Sequence, residues 1–314
     1  MLETLVLVDA TCDVPETALQ SGCVSLLPTC VELRSGKVLD NRNAAQTLAF
    51  YARMDAEGPR VGHSDAPEVD DIAVLLRSLL AQGRPVLALL VSASRSQLPG
   101  RVHDALASVA ADSTIPGEAA SIKVLDSGNL FAGYGVQLID LLEQLQNGLG
   151  WTSLLRLAHR NIQNTHAYMV PAGLDFIISN AQAKGERSVS LAARLAARIF
   201  NVTPILYAHQ GATRRVGRRV GLNRAREVLF AKVRRMIRDN RLLSPHVVLS
   251  YAGHLADVDL MPGYQRLVTV AREWNVTVHL AMMSMTGAIN VGPRALSVGF
   301  IARNRGQDSL HSEG

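Results

Sequence analysis

Val86-Leu-Ala-Leu-Leu-Val91, running directly into Ser92-Ala-Ser-Arg-Ser-Gln-Leu-Pro-Gly-Arg101, decides the fold class of this chain. An unbroken apolar run with no polar alternation describes a strand buried on both faces. The loop after it is rich in hydroxyls, and a helix is predicted from about Arg101 to Ala111. Two more segments repeat the pattern. Thr4-Leu-Val-Leu-Val-Asp9 and Ile122-Lys-Val-Leu-Asp126 are short apolar runs that end in a carboxylate. Helical stretches alternate with them: Pro15–Gln20, Asn43–Met54, Pro67–Ala81, and a long helix that leaves the turn Ser127-Gly128 and reaches Gln146. In the third of these, Ile72, Leu75, Leu76, Leu79 and Leu80 recur at helix spacing. A further strand is predicted over Val24–Leu33. Strands alternating with helices imply a parallel sheet covered on both faces, with ligands at the carboxyl ends of its strands. Asp9, Ser92 and Asp126 fall at such ends.

Asn147-Gly-Leu-Gly150 is a helix stop and divides the chain into an N-terminal α/β domain, 1–150, and a C-terminal α+β domain, 151–314. The second part reads as helix Trp151–Asn164, strand His166–Val170, a helical region, then strands Val202–Ala208 and Arg214–Val220. Helix Asn223–Asp239, strand His246–Tyr251, helix Leu260–Trp274 and strand Val276–Met282 follow, for an antiparallel or mixed sheet. Val291-Gly-Pro-Arg-Ala-Leu-Ser-Val-Gly-Phe300 closes it. A Gly-Pro turn there offers backbone N–H groups, and the strand-like run Ala295–Ile301 has small residues at Ser297 and Gly299 that would let a ligand approach. The polar tail Asn304–Gly314 is expected to be mobile.

Apolar residues make up 48% of the 314 and charged residues 19%, which describes a well-packed globular protein rather than a disordered one. Aromatics are only 4%, so aliphatic side chains must fill the core and line any cavity. Cys12, Cys23 and Cys30 form no disulfide framework and read as buried or half-buried thiols in a reducing compartment. With no signal-peptide pattern and no long apolar run, a cytoplasmic protein without membrane insertion is expected. The net charge of +5 is concentrated between Arg214 and Arg241. Without aromatic platforms for bases, that stretch reads as a solvated face or a protein-docking surface rather than a nucleic-acid site.

The common catalytic signatures are missing: there is no GxSxG elbow, phosphate-binding loop, HExxH or cysteine–histidine cluster, so neither catalytic residues nor a metal is assigned. Gly133-Tyr-Gly135 lacks the third glycine of a dinucleotide fingerprint and reads as close helix packing. Asp9 and Asp126 are either a carboxylate pair or loop braces. Ser92, Ser94 and Gly100 make a candidate anion cradle ahead of a helix.

Five segments, in order, resemble the DegV family of bacterial fatty-acid-binding proteins, which includes the acyl-carrying, FakB-like subunits of fatty acid kinase. They are LVLVDATCDVP (Leu5–Pro15), LPGRVHDA (Leu98–Ala105), IKVLDS (Ile122–Ser127), FNVTPIL (Phe200–Leu206) and NVGPRALSVGF (Asn290–Phe300). The resemblance implies a two-domain α/β fold that sequesters an acyl chain between the domains and presents its carboxylate, with no chemistry on this chain. Carried over by position, the head-group loops are Gly62-His63-Ser64, Leu98-Pro99-Gly100 and Asn290-Val291-Gly292. Several family donors are replaced, notably by Pro99 and Val291, while Arg101 and Arg294 have appeared, and arginine can grip a carboxylate through two parallel bonds.

The candidate ligand-binding set is thus His63, Ser64, Ser92, Ser94, Gly100, Arg101, Asp126, Asn290, Gly292 and Arg294. The expected ligand is a long-chain fatty acid, with no other cofactor. At about 0.8 kcal/mol per buried CH₂, a dozen methylenes supply roughly 10 kcal/mol before ordering costs. The resemblance also implies docking of a fatty acid kinase subunit at Arg218 and Arg219. The alternatives are a small-molecule enzyme related to dihydroxyacetone kinase-like domains, or a divergent DegV protein that binds another hydrophobic ligand.

Overall fold

The structure is a computed structural model that describes residues 4–58, 62–111, 122–173 and 202–303. The first part runs β1 (Leu5–Asp9), α1 (Glu16–Leu19), β2 (Val24–Leu27), β3 (Thr29–Leu33), β4 (Gly36–Asp40), α2 (Ala44–Glu57), β5 (His63–Asp65), α3 (Val69–Leu80), β6 (Val86–Leu90), α4 (Leu98–Ala110), β7 (Ile122–Asp126) and α5 (Phe131–Gln146). Strands β2-β1-β6-β7 form a four-stranded, all-parallel sheet. Every residue of β1 and β6 is buried, as their unbroken apolar runs require.

The strand expected over Val24–Leu33 is two strands. Pro28 has no N–H to donate and interrupts the ladder, so β2 stays in the parallel sheet. Beyond the break, β3 joins β4 and β5 in a separate three-stranded antiparallel sheet. Helix α4 begins earlier than expected, at Leu98, with Pro99 in its first turn, where a missing N–H costs nothing.

The second part runs α6 (Trp151–Asn164), β8 (Thr165–Val170), β9 (Val202–His209), β10 (Ala212–Val220), α7 (Leu222–Arg238), β11 (Leu242–Tyr251), α8 (Ala256–Asp259), α9 (Tyr264–Glu273), β12 (Thr277–Met282), α10 (Met285–Val291) and β13 (Leu296–Ala302). Its sheet is mixed, in the order β10-β9-β8-β13-β11-β12, with β11 and β12 parallel and the other neighbours antiparallel. The helix expected over Leu260–Trp274 starts only at Tyr264, because Gly263, at φ 88°, turns the backbone left-handed ahead of it. The helical region expected between β8 and β9, like the tail Asn304–Gly314, lies outside the described residues.

Helix α5 joins the two sheets. Nearly all of it is buried, and it packs on β13 and β11 of the mixed sheet while contributing Tyr134, Val136, Leu138 and Leu141 to the core around the parallel sheet. Gly299 makes this possible: a side chain there would run into the Ala132 carbonyl and the Gly133 amide. The small residue therefore admits the backbone of α5 rather than a ligand. Gly135 likewise faces the backbone of Asp13, in keeping with the close-packing reading of Gly133 and Gly135.

A buried polar network ties α5's surroundings to the later strands. Arg42 donates to Asp13 (2.9 Å) and to the Met282 carbonyl (2.7 Å), and the Ser284 amide donates to Asp13 (2.9 Å). Ser250 also donates to Asp13, and Asp40 accepts from the amide and hydroxyl of Thr286 at 2.8 and 2.7 Å. Cys12 and Cys23 are buried and Cys30 half-buried, all as free thiols.

Candidate functional site

A cleft of about 510 Å³ opens at the carboxyl ends of β1 and β6, within the range of roughly 300–1,000 Å³ typical of small-molecule sites. Its floor is the residues that follow those strands, Thr11 and Val91, and the start of α5, Leu130 and Phe131. Met169 of β8, Leu206 of β9 and Thr213 of β10 bring in the mixed sheet. One rim is Gly62–Ala66, another is Arg95–Leu98 with Arg101, and a third is Asn290 and Val291 at the end of α10. The cleft therefore brings together residues from all three loops singled out in the sequence.

Local chemistry fixes these loops. Asp9 is buried; it accepts from the Thr11 amide (2.9 Å), the Thr11 hydroxyl and the Val91 amide (2.7 Å), which clamps the ends of β1 and β6. Burial raises its pKa, and the donors from Thr11 and Val91 pull it back. Asp126 is the corresponding brace of β7, accepting from the Gly128 and Ala93 amides at 2.7 and 3.1 Å. The two carboxylates thus tie loops, each with its own amide donors.

Gly62, at φ 104°, brings the rim against β3; a Cβ there would strike the Glu32 carbonyl. Phe131 holds a left-handed φ of 55°, an uncommon conformation for a bulky residue, and its amide donates to Thr11 (3.1 Å). Phe131 is among the residues that line the cleft.

The candidate residues divide by position. His63, Ser64, Arg101 and Asn290 line the cleft. His63 also faces Asp65 (3.1 Å) and Glu32 (3.8 Å). The Arg101 guanidinium is committed to the Ala66 and Pro67 carbonyls at 2.6 and 2.9 Å, holding the rim. Asn290 Nδ2 donates to the Thr286 carbonyl (2.7 Å).

Ser92, Ser94, Gly100, Asp126, Gly292 and Arg294 are not among the lining residues. Ser92 and Ser94 contact each other at 3.0 Å, and Ser94 donates to the Gly211 carbonyl (2.6 Å), so this hydroxyl pair fastens the loop to the β9–β10 turn. Gly100 is exposed on α4. Gly292 caps α10 at φ 89°, its amide donating to Ala288 (2.7 Å). Arg294 is paired with Asp55 at 3.1 Å on the surface. Arg218 and Arg219 lie on β10, the edge strand of the mixed sheet, with Arg218 exposed and Arg219 half-buried.

The sequence reading passed over Arg95. It lines the cleft, is exposed, and makes no side-chain hydrogen bond or ion pair among the described residues. Its signal was present, a lone arginine inside the hydroxyl-rich loop Ser92–Gln97.

A family model described as "Uncharacterised protein, DegV family" matches residues 3–303. A DegV domain-containing protein of Xanthomonas campestris pv. campestris is 30% identical over 304 residues, 95% of this chain and 96% of that one. A DegV lipid-binding protein of Thermotoga maritima shares the fold at 20% identity and a TM-score of 0.74, over 97% of this chain and 100% of that chain. A fatty-acid-binding DegV-family protein of Thermus thermophilus does so at 20% identity and 0.74, over 96% and 100%. With a parallel-sheet part, a sheet-rich second part and a sequence matched almost from end to end, this chain belongs to the DegV family.

Proposed function

We propose that the protein is a carrier that binds a long-chain fatty acid in the cleft between an N-terminal domain, 1–150, and a C-terminal domain, 151–314. The observation that carries this reading is the composition of that cleft. Leu98, Leu130 and Phe131 from the first part, and Met169, Leu206 and Val291 from the second, supply apolar surface, and polar groups gather at the rims. The fatty-acid and lipid binding of the Thermus and Thermotoga proteins supports it. Hydrocarbon desolvation provides the affinity, at about 0.8 kcal/mol per CH₂. The carboxylate is held at the rim by Arg95, whose guanidinium is uncommitted among the described residues, with Ser64 and Asn290 beside it and Arg101 and His63 fixing the loop.

In this reading the chain performs no chemistry. It works in the cytoplasm, where its free thiols stay reduced, and offers the carboxylate to a fatty acid kinase subunit. The exposed basic edge of β10, with Arg218 and Arg219, is the docking surface for that partner. Solvent extraction and mass spectrometry of protein purified without denaturation test the binding: a copurified fatty acid is expected. Protein that is repeatedly empty and also rejects added fatty acid would overturn the proposal.

A further inference from the structure

Far along α5 from the cleft, Asp140 and Glu143 stand one helical turn apart, on the face that meets β11, where His246 projects toward them. The ligand-capable atoms of these three residues all lie within 4.8 Å of one another. His246 is 6% exposed and Asp140 3%. Two details distinguish the group from an ordinary ion pair. His246 Nε2 is 3.2 Å from Glu143 Oε2, yet it is buried with no partner in hydrogen-bonding geometry. The buried Asp140 carboxylate has one hydrogen-bond donor among the described residues, the neutral Asn161 amide at 2.6 Å. A buried carboxylate with one neutral donor among the described residues, and an imidazole nitrogen aimed at a second carboxylate off the hydrogen-bond line, are both satisfied by a cation between them.

We propose that Asp140, Glu143 and His246 bind a divalent transition-metal ion, with Zn²⁺ as the best fit. A nitrogen and an oxygen 3.2 Å apart span the edge of a tetrahedron whose arms are about 2.0–2.2 Å, the usual Zn–N and Zn–O lengths. The outer contacts match as well. His246 Nδ1 lies 3.2 Å from His279 Nε2, a contact that can accept the Nδ1–H of the tautomer whose Nε2 lone pair faces the carboxylates. Asn161 orients Asp140 in the same way. Glu143, 41% exposed, is the movable ligand and the route of entry, and water completes the fourth position. The ion would pin the central helix to the mixed sheet, remote from the fatty-acid cleft.

The test is titration of the chelator-treated full-length protein with Zn²⁺ by calorimetry, and with Co²⁺ by visible absorption. One equivalent should bind, raise the melting temperature and, with Co²⁺, give a four- or five-coordinate d–d spectrum. Glu143→Gln, at a partly exposed position, should fold normally and bind at least about 10-fold more weakly, and His279→Phe should lose roughly 10- to 100-fold through the outer contact. Absence of a stoichiometric site in the parent protein, or unchanged affinity in folded Glu143→Gln and His246→Gln proteins, would overturn the proposal. Fatty-acid content is read separately, so either proposal can fail without the other.

Discussion

Replacing Arg42 by methionine removes, among the described residues, the cation of a buried site that holds two carboxylates. The Arg42 side chain is 5% exposed and Asp13 is fully buried, with 2.9 Å between Nη1 and Oδ1. Asp40 is buried as well. Burial pushes the Asp13 carboxyl up to about 6, opposed by the Arg42 charge and the Ser250 and Ser284 donors. Burial also raises Asp40, again opposed by Arg42. Burial works against the Arg42 charge, but Asp13 and Asp40 together leave its pKa above the usual value.

Methionine fills much of the space but leaves both carboxylates uncompensated, a loss of about 3–5 kcal/mol, comparable to much of the total stability of an ordinary domain. The loss should depend on pH. Without Arg42, the folded-state pKa values of both carboxylates climb further above those of the unfolded chain. Between the unfolded and folded values the folded state then holds protons that the unfolded chain has released. Stability therefore falls as pH rises through that window and levels off above it. Each further unit of upward shift adds about 1.4 kcal/mol to the difference between acid and alkaline conditions. Urea unfolding of parent and Arg42→Met at pH 5 and pH 8, followed by tryptophan fluorescence, reads it directly. A deficit below about 0.5 kcal/mol at both values, or an equal deficit at the two, would refute the electrostatic account.

His166 provides a counterpart of opposite sign. Burial, and then the neighbouring charge of His209, lower its pKa to about 4. The unfolded chain takes up a proton between about 6.5 and 4 that the folded one refuses, so stability present above pH 6.5 is lost, by up to about 3 kcal/mol, as pH falls toward 4. In the parent the Asp13 titration partly masks this slope. The stability difference between His166→Phe and the parent should thus move in the variant's favour on acidification, and a difference flat from pH 7 to 4.5 would contradict the assignment. At the cleft, Arg95→Ala should weaken binding of a saturated long-chain fatty acid by about 1.5–3 kcal/mol, while Arg294→Ala leaves it unchanged; equal effects in a fluorescent-fatty-acid displacement assay would remove Arg95 from the head-group role.

What was legible in the chain followed from burial. Leu5–Asp9 and Val86–Leu90 are apolar because both faces are covered, and that pattern announces a parallel sheet without any partner being known. Strands β4 and β5 carry no such mark: they lie largely exposed at the edges of a small sheet, so Gly36-Lys-Val-Leu-Asp40 suggests no element and His63-Ser64 reads as part of a loop. Helix α10 is too short, at seven residues, for its periodicity to register, and it is buried on nearly every side. Of the cleft, the loops were visible, but which side chains were free was not. Arg101 and Arg294 stand in the expected loops, but Ala66 and Pro67 occupy the first and Asp55 the second, pairings that no local pattern encodes. Asp140 and His246 meet only because α5 lies across β11, a contact that no local pattern encodes.

That same crossing helix limits how the molecule can be taken apart. A chain severed at Asn147–Gly150 would leave α5 on the first fragment and strip the lid from the inner faces of β11 and β13 on the second. The glycine groove at position 299 would then open onto solvent beside Ile301, which shares its face of β13. Fusion tags, inserted reporters and split-protein designs are better placed outside this keel, since what separates the halves in sequence is also what fills the space between their sheets.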